Sequence, residues 1–267
     1  MRIVSWNVNG IRAVEKRGLV QWIQDESPDI LCLQETKAHP EQLSSELISP
    51  RDGSGQVYTS YWASAKKLGY SGVAIYSKRQ ALEVKPLGIG EFDAEGRVLA
   101  ADFKDFVLIC AYFPNAQEAG ARLDYKLAFC KAIREQCDTL VSQGRHLVLC
   151  GDYNIAHTPL DLARPKENEG NPGYLPEERA WMDTFTHAGY VDTFRHFHPG
   201  EPGHYSWWSY RAGARKRNVG WRIDYHCVDP LFIPQVQSAT IWPDVAGSDH
   251  CPVVLEVDLT GTGDRTP

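Results

Sequence analysis

Unbroken apolar runs constrain this chain more than any other feature. Stretches rich in Val, Ile, Leu and aromatic residues recur at Ile3–Trp6, Ile30–Leu33, Val73–Tyr76, Val98–Phe103, Val107–Phe113, Leu147–Cys150, Ile223–Val228 and Val253–Val257, and several show no polar alternation. A strand with one wet face alternates apolar and polar side chains, so a continuous run predicts a strand covered on both faces. Between the runs, helical periodicity appears at Gly18–Asp25, Arg122–Ser142 and Pro176–Ala188, the last opening on Pro-Glu-Glu, a favourable first turn. Strands and helices mixed along the whole chain predict an α/β fold.

No Ser/Gly/Pro-rich linker, fixed-period repeat or low-complexity tract divides the 267 residues, so the expectation is one domain over residues 1–259 with a flexible tail over 260–267. The Gly/Pro clusters at Ser49–Gly55, Glu167–Pro176 and His198–Gly203 predict surface loops. Met1-Arg2 leads straight into a strand-like run, with no secretory signal, and no apolar stretch nears the roughly 20 residues that span a bilayer. An intracellular, cytoplasmic protein without a membrane partner is expected. Of the seven cysteines, Cys32, Cys110, Cys150 and Cys227 lie inside apolar runs and no C-x-x-C pair occurs, which predicts buried thiols in a reducing compartment.

The net charge of −6 weighs against a polyanionic partner. Its distribution weighs the other way. Acids gather at 15–46, 91–105 and 161–183, while RAGARKRNVGWR holds Arg211, Arg215, Lys216, Arg217 and Arg222 with no acid. One face is therefore expected to be locally positive.

Several apolar runs stop at polar side chains: IVSWN at Asn7, ILCLQE at Glu35, VLICAYFPN at Tyr112 and Asn115, LVLCGDYN at Asp152 and Asn154, WRIDY at Asp224. A further run, CPVVLEV, follows directly on Asp249 and His250. Each has an ordinary reading alone, as a cap, a surface ion pair or a turn. Unpaired buried carboxylates cost several kcal/mol, so their repeated placement at strand ends predicts one shared site at a sheet rim. Carboxylate and amide oxygens suit magnesium, with manganese able to substitute, whereas zinc would call for His and Cys at spacings that do not occur. His250 invites pairing with Asp224: a carboxylate on one ring nitrogen raises the imidazole pKa and leaves the other N–H for a phosphate oxygen.

In order along residues 5–257, SWNVNGIR, LQETK, GYSGVAIYSK, YFPNA, LVLCGDYNIAH, NPGYLPEER, GWRIDY and SDHCPVVLEV resemble the successive signature blocks of the exonuclease III family of abasic-site endonucleases. The wider superfamily of endonucleases, exonucleases and phosphatases shares the Glu, GD-x-N and SDH blocks but not those between them. The resemblance implies a four-layer α/β sandwich of two mixed β-sheets flanked by helices. It also implies Glu35 as the principal magnesium ligand, with Asn7 and Asp249 completing the shell and Asp152, Asn154 and His250 beside it. Asp152 would activate the attacking water, Asn154 would position it, and Tyr112 would contact phosphate or act in catalysis with Asp224 and His250. For DNA it implies Asn115, Asn168, Asn171, Arg217, Trp221, Arg222 and His250, with Trp207, Trp208 and Trp221 forming an apolar recess for a flipped baseless sugar.

The activity so implied is incision 5′ to an abasic site to leave a 3′-hydroxyl, with 3′–5′ exonuclease and 3′-end-cleaning phosphodiesterase and phosphatase action. The partner would be double-stranded DNA with abasic sites or blocked 3′ ends, met by a monomer on the nucleoid. Asn9 departs from the pattern, because longer family members carry an aspartate there, which predicts a less anionic metal shell. The alternatives are a superfamily cousin acting on phosphoinositides or sphingomyelin and a DNA-binding module without activity. The basic approach to GWRIDY weighs against the first, and the presence of Glu35, Asp152, Asn154, Asp249 and His250 against the second.

Overall fold

Each continuous apolar run is a strand with both faces covered. In the computed structural model, which describes residues 1–260, the chain order is β1 (Arg2–Asn7), α1 (Ile11–Glu15), α2 (Leu19–Glu26), β2 (Ile30–Gln34), α3 (Ser45–Ile48), β3 (Thr59–Ala63), β4 (Val73–Ser77) and β5 (Glu83–Lys85). It continues through α4 (Gly90–Asp93), β6 (Val98–Asp102), β7 (Val107–Tyr112), α5 (Leu123–Ser142), β8 (Leu147–Asp152), α6 (Pro176–His187), β9 (Val191–Asp192), α7 (Thr193–Phe197), β10 (Asp224–Val228), β11 (Val236–Ile241) and β12 (Val253–Val257). Apart from Thr260, the expected tail lies outside the described residues.

Two six-stranded sheets form, in the orders β11-β12-β1-β2-β4-β3 and β5-β6-β7-β8-β10-β9. Both are mixed: β1 with β2 and β7 with β8 are the parallel pairs, and the other neighbours run antiparallel. Ile3, Cys32, Ile75, Leu108, Cys110, Val148 and Cys150 meet between the sheets. On the outer face of the first sheet, Val4, Trp6, Leu31 and Leu33 pack on Ile11, Val14, Leu19 and Ile23 of α1 and α2. On the outer face of the second, Ile109 and Leu149 pack on Phe129, Ile133 and Cys137 of α5 and Met182 and Phe185 of α6. The four-layer sandwich implied by the family resemblance is thus the observed fold. All seven cysteines are buried free thiols. Among the described residues no helix is long and apolar enough to cross a membrane.

The three expected helices fall within a residue or so of their predicted limits. Four strands escape the sequence pattern: β3, β5, β9 and β11. They are the four sheet edges. An edge strand is partly exposed, so TSYWA, EVK, VD and VQSATI lack the unbroken apolar signature. Asp224 is also corrected in place, since it opens β10 rather than closing a strand. β10 runs antiparallel to β8, so its first residue lies beside Asp152, the last of β8.

That geometry gathers the site. The parallel pairs β1/β2 and β7/β8 point their C-terminal ends toward one rim, and the antiparallel β10 and β12 begin there. Tyr112, Asp152 and Asp224 are register partners across three strands and so face the same way. Gly151 makes the approach of β7 possible, because at φ 141° a Cβ would sit 1.8 Å from the Ala111 carbonyl oxygen.

Candidate active site

At this rim a recess of about 260 Å³ is lined by Glu35, Tyr112, Asn115, Asp152, Asn154, Pro172, Gly173, Trp207, Trp221, Ile223, Asp249 and His250. Glu35 and Asn154 hold positive φ values of 52° and 51°, and Asn9 and Lys37 close by hold 47° and 51°. For residues other than glycine such conformations are strained, and they concentrate where a side chain must be aimed.

His250 Nδ1 donates to Asp224 Oδ2 at 2.9 Å, and its Nε2 lies 3.9 Å from Asp152 Oδ2. Ser206, also buried, donates to the same Asp224 oxygen at 2.6 Å. Burial alone would lower the His250 pKa, but Asp224 and then Asp152 outweigh it and lift the imidazole to about 10. It is therefore an imidazolium at neutral pH, with Nδ1–H on Asp224. The opposite holds for Asp152. Burial, reinforced by the charge of Asp224, raises its carboxyl to about 7 in spite of His250. Burial raises the Tyr112 phenol as well, with Glu35 and Asp152 adding to it, so the hydroxyl stays protonated. The Arg97 guanidinium stacks 4.9 Å from the Tyr112 ring centroid.

Glu35 and Asp249 take the other side. Burial opposes ionisation of Glu35, yet Lys37, its ion-pair partner at 2.7 Å, and the Asn7 amide hold it below the usual carboxylate range. Asp249 is likewise held low against burial by His250, Asn9 and Trp207, with Asn9 Nδ2 at 2.9 Å and Trp207 Nε1 at 3.0 Å. The Asn7 amide nitrogen bridges Glu35 Oε1 (2.9 Å) and Asp152 Oδ2 (2.8 Å). Asp152 also accepts from the Asn154 amide nitrogen at 3.2 Å, and the Asn154 oxygen accepts from Asn115 at 3.2 Å.

The residues present fit a divalent cation. Asp152, Asp224 and His250 each bring a ligand atom within 4.8 Å of one another, a grouping able to hold a metal ion. Because His250 Nδ1 is already committed to Asp224, the oxygen donors of Glu35, Asp152 and Asp249 are the better match to a hard ion. Among the described residues Asp224 Oδ1 is buried with no hydrogen-bond partner, a further mark of negative charge in excess.

Not every expected residue reaches the recess. Arg222 was expected to grip DNA, but its side chain is 0% exposed, held by Asp161 (2.8 Å) and Asp192 (2.7 Å). A guanidinium fully buried against two carboxylates presents no donor at the surface for a phosphate. Asn168 and Asn171 form a turn instead of lining the recess: Asn168 donates to the Ala163 and Arg164 carbonyls, and Asn171 to Asn168 Oδ1. Trp208 belongs to a separate buried cluster with Tyr205, Ala214 and Cys251, whereas Trp207 and Trp221 do wall the recess, edge to face at 6.3 Å. Arg217 is exposed on its loop. Sequence reasoning missed the work of Lys37 and Ser206. Lys37 stood in the LQETK block as a mere neighbour of Glu35; Ser206 carries no motif, and only the tertiary fold brings it to Asp224.

Residues 4–250 match the endonuclease/exonuclease/phosphatase family. The chain belongs to that family. Within the family, it is 43% identical over 261 residues to an exodeoxyribonuclease of Bacillus subtilis, covering 97% of this chain and 100% of the relative. It is 42% identical to the DNA repair nuclease APEX1 of Danio rerio, covering 96% of this chain and 81% of that one. An AP endonuclease structure from Archaeoglobus fulgidus superposes with a TM-score of 0.84 at 26% identity, covering 97% of this chain and all of that one. The exonuclease III resemblance read from the sequence blocks is thereby borne out.

Proposed function

We propose that this protein is a magnesium-dependent DNA-repair phosphodiesterase that incises the backbone 5′ to an abasic site and leaves a 3′-hydroxyl. It also removes nucleotides and blocking groups from 3′ ends. One observation carries the reading: a carboxyl raised to about 7 and an imidazolium share a buried recess with further ionised carboxylates. Phosphodiester hydrolysis needs a base for the incoming water and positive charge on the non-bridging oxygens.

Asp152 is poised near neutral pH to take the proton of the attacking water, and Asn154, bonded to Asp152 and Asn115, orients that water. His250, fixed by Asp224 through Nδ1, turns Nε2–H toward the phosphate as a charged donor. Tyr112, kept as a phenol, donates a second bond. Glu35, Asp249 and Asn7 would hold Mg²⁺, with Mn²⁺ able to substitute; the ion supplies charge neutralisation at the phosphate and the departing oxygen. Trp207, Trp221 and Ile223 offer apolar walls to a sugar without its base. Arg217 and Asn115, both exposed, would contact flanking DNA. The partner is duplex DNA with abasic sites or blocked 3′ ends, met by a monomer in the cytoplasm.

The test is a labelled duplex with one tetrahydrofuran abasic analogue, incubated with Mg²⁺ or with EDTA. Cleavage 5′ to the analogue that leaves a 3′-hydroxyl and stops in EDTA is expected. Cleavage that persists in EDTA defeats the metal assignment, and equal cutting of intact duplex defeats the lesion preference.

A further inference from the structure

Behind the recess lies an ion pair that the chemistry above does not use. Lys126 on α5 and Glu178 on α6 are both 0% exposed, 2.6 Å apart. Lys126 Nζ also donates to the Asn154 carbonyl at 2.6 Å. Through its second oxygen Glu178 accepts from the backbone N–H of Gly173 (2.7 Å) and of Leu175 (2.9 Å). The Leu175 bond is the ordinary reach of a first-turn glutamate back to its helix start. Gly173 and Asn154 lie outside that motif, and both line the recess.

Removing an ion pair from water costs several kcal/mol per charge, and an apolar pair of similar volume is often as stable or more so. Stability alone therefore does not call for these charges. What an apolar pair could not do is bond the backbone of both recess walls at once. Asn154 is the side that needs it, with a positive φ of 51° and an amide that must stay on Asp152. The Gly173 side closes the circuit, since its carbonyl accepts from Ala156 N–H at 2.8 Å.

We propose that Lys126 and Glu178 are positioning residues for phosphodiester cleavage: the buried pair locks the Asn154 and Gly173 walls together and so aims the Asn154 amide at Asp152. This rests on the nuclease reading of the recess. The main test is the double variant Lys126→Met/Glu178→Gln, which removes both charges, keeps an acceptor for Gly173 and Leu175, and abolishes the bond to Asn154. Three readouts are compared with wild type: thermal unfolding, kcat and KM per folded enzyme on the tetrahydrofuran duplex, and amide exchange over residues 152–156 and 171–175.

Expected are a folded variant, kcat lower by about 10- to 100-fold as befits a misplacement near 1 Å, KM within about twofold, and faster exchange in both segments. Wild-type kcat and exchange in the folded variant would overturn the proposal, as would a loss of rate no greater than the loss of folded protein. Should the double variant not fold, Glu178→Asp, which keeps the charge but withdraws it from Gly173, is judged by the same criteria. Wild-type protein inert on the duplex would refute the nuclease reading instead, and exchange in the variant would still decide whether the pair holds the two walls.

Discussion

At the rim, His250 and Lys37 face the carboxylates of Glu35, Asp152, Asp224 and Asp249, whereas nearby in the fold two guanidinium groups meet two carboxylates. In that second cluster Arg222 bonds Asp161 and Asp192 while Arg195 bonds Asp161 at 2.5 Å. Charge is balanced there, and Asp161 is held well below the usual range because Arg222 and then Arg195 outweigh burial. The rim is unbalanced instead, with Asp152 raised to about 7 and one oxygen of Asp224 unpartnered. Both clusters are largely buried and both set cationic side chains against carboxylates. Balance makes the arginine cluster a clamp on the loop that carries Trp221; its lack makes the rim a site that gains by admitting a cation and a phosphate.

The sharpest way to separate the two is to neutralise one carboxylate at the rim. Asp152→Asn should lower turnover on the abasic duplex by about a thousandfold while leaving folding and DNA binding in place. Wild-type turnover would remove Asp152 from the chemistry. In the balanced cluster the reverse is expected. Arg222→Met strips Asp192 of its guanidinium, leaves Asp161 to Arg195 alone and should cost about 3–5 kcal/mol of stability by denaturant titration, with a far smaller change in kcat per folded molecule than Asp152→Asn. Unaltered stability joined to weak DNA binding would return Arg222 to the role first expected of it.

A smaller effect follows from pH. The folded pKa of Asp152 lies above its unfolded value, so its stabilising contribution is complete below the ordinary carboxylate range and is lost as pH rises through about 7. In EDTA, Asp152→Asn should therefore melt above wild type at about pH 8, with the gap closing as pH falls toward about 4. A gap independent of pH would show that the carboxyl is not strained by its surroundings.

Much of this was legible in the sequence because the core strands are doubly covered and end in polar side chains. The runs around Ile30–Leu33 and Leu147–Cys150 announced both the sheets and the acids Glu35 and Asp152 that follow or close them. The edge strands were not legible, since half-exposed backbone needs no unbroken apolar pattern. Arg222 misled for a related reason: an arginine in a basic stretch looks alike whether it faces solvent or a buried acid, and only the fold brings Asp161 and Asp192 to it. The pairing of Lys126 with Glu178 was not legible either, because a charge on the amphipathic helix α5 reads as surface and Glu178 in Pro-Glu-Glu reads as an ordinary first-turn acid.

The rim as a cation site is tested most directly by titrating Mn²⁺ into wild type, Glu35→Gln and Arg222→Met and following the free ion by electron paramagnetic resonance. Wild type and Arg222→Met should bind with equal affinity and Glu35→Gln at least about tenfold more weakly, because a hard ion loses a charged oxygen donor there. Equal affinity in Glu35→Gln and wild type would contradict a divalent ion held among these carboxylates.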